Sequence, residues 1–445
     1  MAVSESAFPD TQLADEEARL LPVVGRGALA ASIVNVIVGG GIFVLPAAVA
    51  GHLGSVAPIA YLLGALVIVP VAICFALAGR RVLTTGGPYA YAESAFGPFA
   101  GFLTGVMMWL ANVTACAGVA VALHGQLARL WPAFATSTAR AALLSTVFMA
   151  LFVLNARGMR LGMRAIVTLA VLKLTPLVLL VAIGIWFIDP AQLLPVGGTV
   201  EPHALGAALV LVMFAYSGME TALTPAAEMR DARRDLPAAT MWATAFVVVL
   251  YFGLQAVAQG LLGPALAGDA APLASAAGRI HPAATTALLL TAAVSMLGFL
   301  QGNVVGTSRL IYALARDRRL PAKLAHVSRG SAVPVVALAA HAAVAWGLAM
   351  LGNFTTLALL SGGANCLLYA LVALAAWRLA RRDPAPLPRQ RAVENIAPPF
   401  AFLALCAIAA TLGANEWWIL LATVALISVT YAIGSAFRPQ RAIPK

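Results

Sequence analysis

The sequence predicts an all-α polytopic membrane protein with twelve transmembrane helices, two of them broken. Three observations carry that prediction. Hydrophobic residues make up 62% of the 445-residue chain and charged residues 10%, against roughly 25% charged in an ordinary soluble domain. Apolar runs approaching the ~20 residues that cross a bilayer recur along the chain. Within the first run stand three consecutive glycines, Gly39, Gly40 and Gly41. Within the sixth, Ser217 and Gly218 precede Glu220, a carboxylate at membrane depth. A soluble fold would need several hydrophobic cores and would have too few charges to cover them.

Residues 1–25 form a polar N-terminal tail with Asp10, Asp15, Glu16 and Glu17. They lack the basic start and cleavage site of a secretory signal peptide, so the first apolar segment, near 27–50, is a retained helix. Segments near 56–79, 98–130, 139–155 and 163–188 follow and complete a unit over 26–190. A second unit, 200–382, holds segments near 203–226, 237–263, 283–315, 333–352 and 355–380. The third and eighth segments exceed a simple span, which implies tilt or extension beyond the bilayer. Segments near 396–414 and 416–437 make a third unit over 395–437, before a tail at 438–445.

The net charge of +11 is explained by topology rather than by a nucleic-acid partner. With a cytoplasmic N-terminus, this helix count places 24 of the 28 basic residues in cytoplasmic loops and tails. Outside fall Arg129, Arg140 and Arg279, with Lys173 inside a helix. Positive charge marks the cytoplasmic side, so both termini are expected there, in the cytoplasmic (inner) membrane. The cysteines Cys74, Cys116, Cys366 and Cys406 lie in apolar runs with no metal or disulfide spacing. No metal and no cofactor is expected.

Backbone that leaves helical geometry in a bilayer is tolerated where it lines a protein cavity. Glycines that merely let two helices approach are spaced, as Gly101 and Gly105 are. Three in a row suit an unwound turn, through glycine's freedom at positive φ. The turn leaves N–H groups at the start of the second half-helix, where a carboxylate is favoured, and carbonyls at the end of the first, where an ammonium is. Two breaks at corresponding places in two halves of a chain point to a secondary transporter's binding site.

The residues resemble the amino acid–polyamine–organocation superfamily of permeases. Gly39-Gly40-Gly41-Ile42-Phe43 with Pro46 is similar to its Gly-Ser-Gly-Ile-Phe-x-x-Pro. Gly86-Gly87-Pro88-Tyr89-Ala90-Tyr91 and Phe96-Gly97-Pro98 resemble its cytoplasmic loop signature. Phe214 through Gly218 and Glu220, then Glu228, Arg233 and Pro237, match its sixth-helix pattern, and Ser308-Arg309 and Ala315 through Pro321 the end of its eighth. The resemblance implies the leucine-transporter-type fold, a five-plus-five inverted repeat with broken helices 1 and 6 and two added helices. It also implies transport of an amino acid by alternating access.

Carried over residue by residue, the substrate carboxylate would meet the N–H groups of Gly40 and Gly41, beside Gly39. The ammonium would meet carbonyls near Ile37, Phe214 and Ser217, with Gly218 completing the second break. Gly40 stands where the family has serine, so a hydroxyl is lost. Phe214 resembles the aromatic that covers the substrate. Trp109, Asn112 and Cys116 share a helical stripe by spacing, and Asn303 and Asn365 are amides at membrane depth; each is a candidate for the pocket wall. With no acidic pair in that wall, neutral amino acids are expected.

Two ionisable residues stand apart, because intramembrane charge costs at least ~2.5 kcal/mol on insertion scales and reads as functional. Lys173 resembles the lysine that proton-coupled members carry where sodium-coupled relatives bind sodium. It would tie helix 5 to carbonyls of broken helix 1 and hold the outward-facing arrangement while protonated. Snorkelling to the interface is the competing reading. Glu220 either responds to protons or caps N–H groups of the second half-helix. The predicted partners are an amino acid, protons and the lipid bilayer, with the protein a monomer or homodimer. Exchange or export, including of polyamines, competes with proton-coupled uptake. A membrane enzyme is disfavoured, since the histidines are scattered and no His-x-x-His or Asp-Asp motif occurs. A channel would show a repeated filter or charged ring.

Overall fold

The structure, a computed structural model, describes residues 26–82, 87–158, 163–194, 200–222, 232–328, 333–383 and 387–436. The expected tails, together with Gly86 and Glu228, lie outside these residues. Among the described residues every regular element is a helix. The first half of the chain carries α1 (Arg26–Ile37), α2 (Leu45–Leu53), α3 (Ala57–Gly79), α4 (Pro88–Phe96), α5 (Pro98–Leu130), α6 (Ser137–Ala156) and α7 (Met163–Gly184). Then come α8 (Pro202–Tyr216), α9 (Met219–Ala222), α10 (Ala232–Leu262), α11 (Pro272–Ile280), α12 (Pro282–Arg316), α13 (Val335–Leu351) and α14 (Phe354–Arg382). The last are α15 (Pro388–Ala409) and α16 (Ala414–Ala436).

Eight described helical stretches are long and apolar enough to cross a membrane, and Pro202–Tyr216, Val335–Leu351 and Ala414–Leu426 are shorter apolar helices. The chain is a polytopic helical membrane protein. Many helices open on proline, as at Pro46, Pro58, Pro98 and Pro282. Proline fits the first turn because its missing N–H would find no helical partner there. Some hydroxyls inside the spans are satisfied locally: Thr114 donates to the Leu110 carbonyl at 2.8 Å and Thr104 to that of Ala100 at 2.7 Å.

Burial sorts the helices. The apolar windows of α5 and α14 are 83% and 78% buried, those of α6 and α7 only 17% and 22%. So α5 and α14 form the centre, and α6 and α7 turn most of their apolar surface outward. The helix α5 packs along α14 and α12, and α10 along α3 and α1. At one end of the bundle, α4 is bracketed by Gly87 and Gly97 at φ 57° and 95°. That backbone region suits glycine, and each glycine is followed by a helix-opening proline. This accounts physically for the repeated Gly-Pro of the loop signature. Charged pairs fasten this end: Arg81 meets Glu394 at 2.5 Å, Arg319 pairs with Glu93, and Arg382 donates to the Ser94 carbonyl at 3.0 Å.

Candidate functional site

The first apolar segment is broken between Ile37 and Leu45, with a 3-10 turn at Gly41–Phe43 in the gap. The second break follows Tyr216, where Ser217 is extended and Gly218 adopts φ 118°. The two breaks face each other. A Cβ on Gly218 would lie 3.3 Å from the Val36 carbonyl oxygen, and one on Gly41 2.8 Å from the Phe214 ring. Both line a cavity of about 660 Å³.

Gly39, Gly40 and Gly41 are glycines for a reason other than the expected one. None has positive φ. Each lies where a side chain would collide: a Cβ would come within 2.9 Å of Phe299, 2.5 Å of Met296 and 2.8 Å of Phe214 respectively. Close approach, and not a left-handed turn, fixes the triple glycine. Met296 and Val119 fill the space that a serine side chain would need at position 40.

The last four carbonyls of α1 have no following helical turn to satisfy them. Val34 accepts from Val38 N–H at 2.8 Å. The Gly39 N–H turns back to Ile37 at 2.7 Å, leaving Asn35 without its helical donor. Lys173 supplies one, with Nζ 2.6 Å from the Asn35 carbonyl. Tyr251 on α10 donates to the Ile37 carbonyl at 2.9 Å. One turn on, Gln255 donates to the Pro46 carbonyl at 3.4 Å, so α10 holds the break on both sides. The Val36 carbonyl accepts no backbone bond among the described residues.

The second break is closed by its own side chains. Ser217 directs both N–H and Oγ to the Phe214 carbonyl, at 3.2 and 2.8 Å. Glu220 accepts from Gly218 N–H at 2.9 and 3.1 Å and from the Tyr369 hydroxyl at 2.8 Å. Its carboxylate thus sits in the capping geometry. Behind the breaks, Tyr216 and Tyr251 stack at 5.8 Å, and Tyr216 donates to the Tyr61 carbonyl at 3.0 Å.

Of the residues singled out in the sequence, Ile37, Gly39, Gly41, Phe214, Ser217, Gly218, Lys173, Glu220 and Asn303 border the one cavity, as do Asn112 and Asn365. Gly40, Cys116 and Trp109 do not border it. The cavity face of α5 runs through Asn112, Ala115 and Val119; it shares Asn112 with the stripe through Trp109 and Cys116, and its centre lies about 60° round the helix from it. Cys116 is wholly buried. The carbonyls of Ile37 and Phe214 each hold two donors, which fills their lone pairs; neither is open to an ammonium. Phe214 lies beside Gly41 and meets Phe354 edge-on at 6.1 Å.

Tyr251, His341 and the pair Asn155 and Gln301 were missed in the sequence. Asn155 and Gln301 exchange two amide hydrogen bonds, at 3.1 and 2.7 Å, and join α6 to α12 on the cavity wall. A polar group in an apolar span needs a partner, which was the available signal. The cavity reaches Gly158, Arg309 and Pro334 at one end of the bundle. Among the described residues, no group of histidine, cysteine and carboxylate side chains is placed to hold a metal.

The family model described as amino acid permease matches residues 25–443. An uncharacterized transporter of Mycobacterium tuberculosis is 33% identical over 305 residues, covering 64% of this chain and 66% of its own length. The chain therefore spans just under two thirds of that relative. A second uncharacterized transporter of the same organism is 30% identical over 406 residues, 83% of each chain. The serine/threonine exchanger SteT of Bacillus subtilis is 25% identical over 385 residues, covering 85% of this chain and 86% of its own.

Proposed function

The chain belongs to the amino acid permease family, and from that premise we propose that it carries neutral amino acids across the cytoplasmic membrane by alternating access. The observation that carries the reading is the pair of helix breaks facing each other across one cavity. An α-carboxylate is assigned to the N–H groups of Gly41 and Ile42, which border the cavity, in place of Gly40. The ammonium is assigned to the Val36 carbonyl. Phe214 covers the substrate from the far side. Uncharged amides and hydroxyls make up most of the polar wall, among them Asn35, Asn112, Asn303, Asn365 and Ser361, and Glu220 is engaged by Gly218 and Tyr369. That favours a neutral side chain.

Twelve crossings are proposed: the eight long spans, the three shorter helices, and α1 with α2 as one broken helix ahead of α3. The five-plus-five inverted repeat and cytoplasmic termini follow the same reading. It predicts that Arg279→Cys, exposed at the end of α11, reacts with an impermeant maleimide in intact cells. Labelling only after permeabilisation would reverse the topology.

In this orientation the cavity opens to the cytoplasm. On this reading the arrangement is inward-facing and already holds the Lys173–Asn35 bond, which would then not be confined to the outward-facing one. A neutral amine donates to a carbonyl as an ammonium does. Proton-coupled uptake is the proposed mode, supported by a lysine on the wall of the break; exchange is the second reading, favoured by the relative named as an exchanger. Proteoliposomes decide. Uptake of labelled neutral amino acids should rise when an inward pH gradient is imposed. Uptake that needs internal amino acid and ignores the gradient would establish exchange, and no uptake of any amino acid would overturn the transport reading.

A further inference from the structure

Behind the cavity wall lies a histidine that the proposed transport cycle does not use. His341 on α13 is wholly buried, and its Nε2 lies 3.1 Å from Asn303 Oδ1. Asn303 Nδ2 lies 3.2 Å from the backbone carbonyl of Asn112 and 3.1 Å from its Oδ1. Asn112 Nδ2 donates to the Met108 carbonyl of its own helix at 2.8 Å.

These contacts fix every orientation in the row. The backbone carbonyl of Asn112 only accepts, so Asn303 must turn its NH₂ toward α5. Its Oδ1 then faces His341, whose Nε2 must carry the hydrogen. The Nδ1 of His341 is left as a buried lone pair with no partner, and a buried acceptor is tolerated better than a buried N–H. Asn303 gives both amide hydrogens to Asn112 and has none for a ligand. Asn112 accepts through Oδ1 and gives one Nδ2 hydrogen to Met108. Its second Nδ2 hydrogen has no acceptor among the described residues, and Asn112 borders the cavity. Asn365, which borders the same space, carries an unpartnered Oδ1 that is itself buried. At Asn112 the wall therefore offers a neutral donor, which a side-chain oxygen can meet.

We infer that His341 is a positioning residue which, through Asn303, holds the Asn112 amide toward the cavity and makes the site prefer amino acids with a side-chain oxygen over apolar isosteres. The inference rests on the amino acid transport reading and names the substrate class of that same site. A buried donor left unmatched penalises the apolar isostere, so one neutral hydrogen bond sets a preference of about three- to tenfold.

The test uses the full chain in nanodiscs, with equilibrium binding of threonine and valine, which share one shape. The parent protein should bind threonine more tightly by that factor. His341→Leu should bring the ratio close to one. His341→Gln, whose amide places a donor near the former Nε2, should keep the preference. A residue that only supported folding would lower stability in both variants and leave the ratio alone. Asn112→Leu should erase the preference as well, and it carries the test if His341→Leu fails to insert. An unchanged ratio in His341→Leu, or in Asn112→Leu, would overturn the inference. Equal binding of threonine and valine by the parent would overturn it while amino acid binding stands. If the parent binds no amino acid, the transport reading falls and the inference falls with it.

Discussion

Gly41→Val is expected to abolish amino acid uptake, by roughly a hundredfold or more, in a protein that still inserts and runs as a single species. The Cβ alone would come within 2.8 Å of the Phe214 ring and 3.6 Å of Leu45, and Gly41 is buried. A branched side chain there pushes Phe214 into the cavity and covers the N–H groups assigned to the carboxylate. Losing two charge-assisted hydrogen bonds costs ~1.5–3 kcal/mol each, and every 1.4 kcal/mol is tenfold. Gly41→Ala is the milder form, and pairing it with Phe214→Leu should restore part of the uptake by making room for the Cβ. The measurement is initial uptake in proteoliposomes at matched protein content. Uptake by Gly41→Val at the parent rate would remove the first break from the binding site.

Lys173→Ala should lose accumulation driven by a pH gradient while retaining most equilibrium binding. The lysine is 8% exposed, and its Nζ is the donor that replaces the missing helical bond to Asn35. Without it that carbonyl is unpaired, and the ammonium beside the break is gone. Lys173→Arg should bind substrate but fail to cycle, because arginine keeps its proton and its planar fork grips carbonyls. A proton moves the equilibrium between arrangements only by binding one of them better, so the informative readout is accumulation under an imposed gradient beside binding without one. Parent-like accumulation by Lys173→Ala, with the same dependence on the gradient, would leave the lysine a purely mechanical tie and favour exchange.

Much of the fold was legible because the bilayer makes its demands locally. Apolar length reports on a few consecutive residues, and Gly39 to Gly41 and Ser217-Gly218 mark the breaks by their own chemistry. The site was legible only so far as it is made of backbone. The phase of α5 was not, because that helix is apolar on nearly every side and spacing alone cannot tell the face through Asn112, Ala115 and Val119 from the one through Cys116. Tyr251 and His341 were hidden for a related reason. Each is a single polar residue in an apolar run, and its partner is 214 positions away for Tyr251 and 38 for His341. The cause of the triple glycine was also out of reach, since the atoms that crowd it belong to α5, α8 and α12.

The two side chains that hold the end of α1 bear on how well the membrane is insulated. Lys173 and Tyr251 come from different helices and grip carbonyls two residues apart. Releasing one while the other holds would leave a carbonyl unpaired in a dry interior, at a cost of ~1–3 kcal/mol. The two grips are therefore expected to let go together, and a half-released α1 would be rarely populated. Half-released carriers are the species through which ions slip without substrate. In the proposed ion-coupled cycle, a carrier that passes quickly between well-closed forms would spare the cell's electrochemical gradient, and this pair of contacts is expected to act as protection against short circuit as much as a support for the substrate.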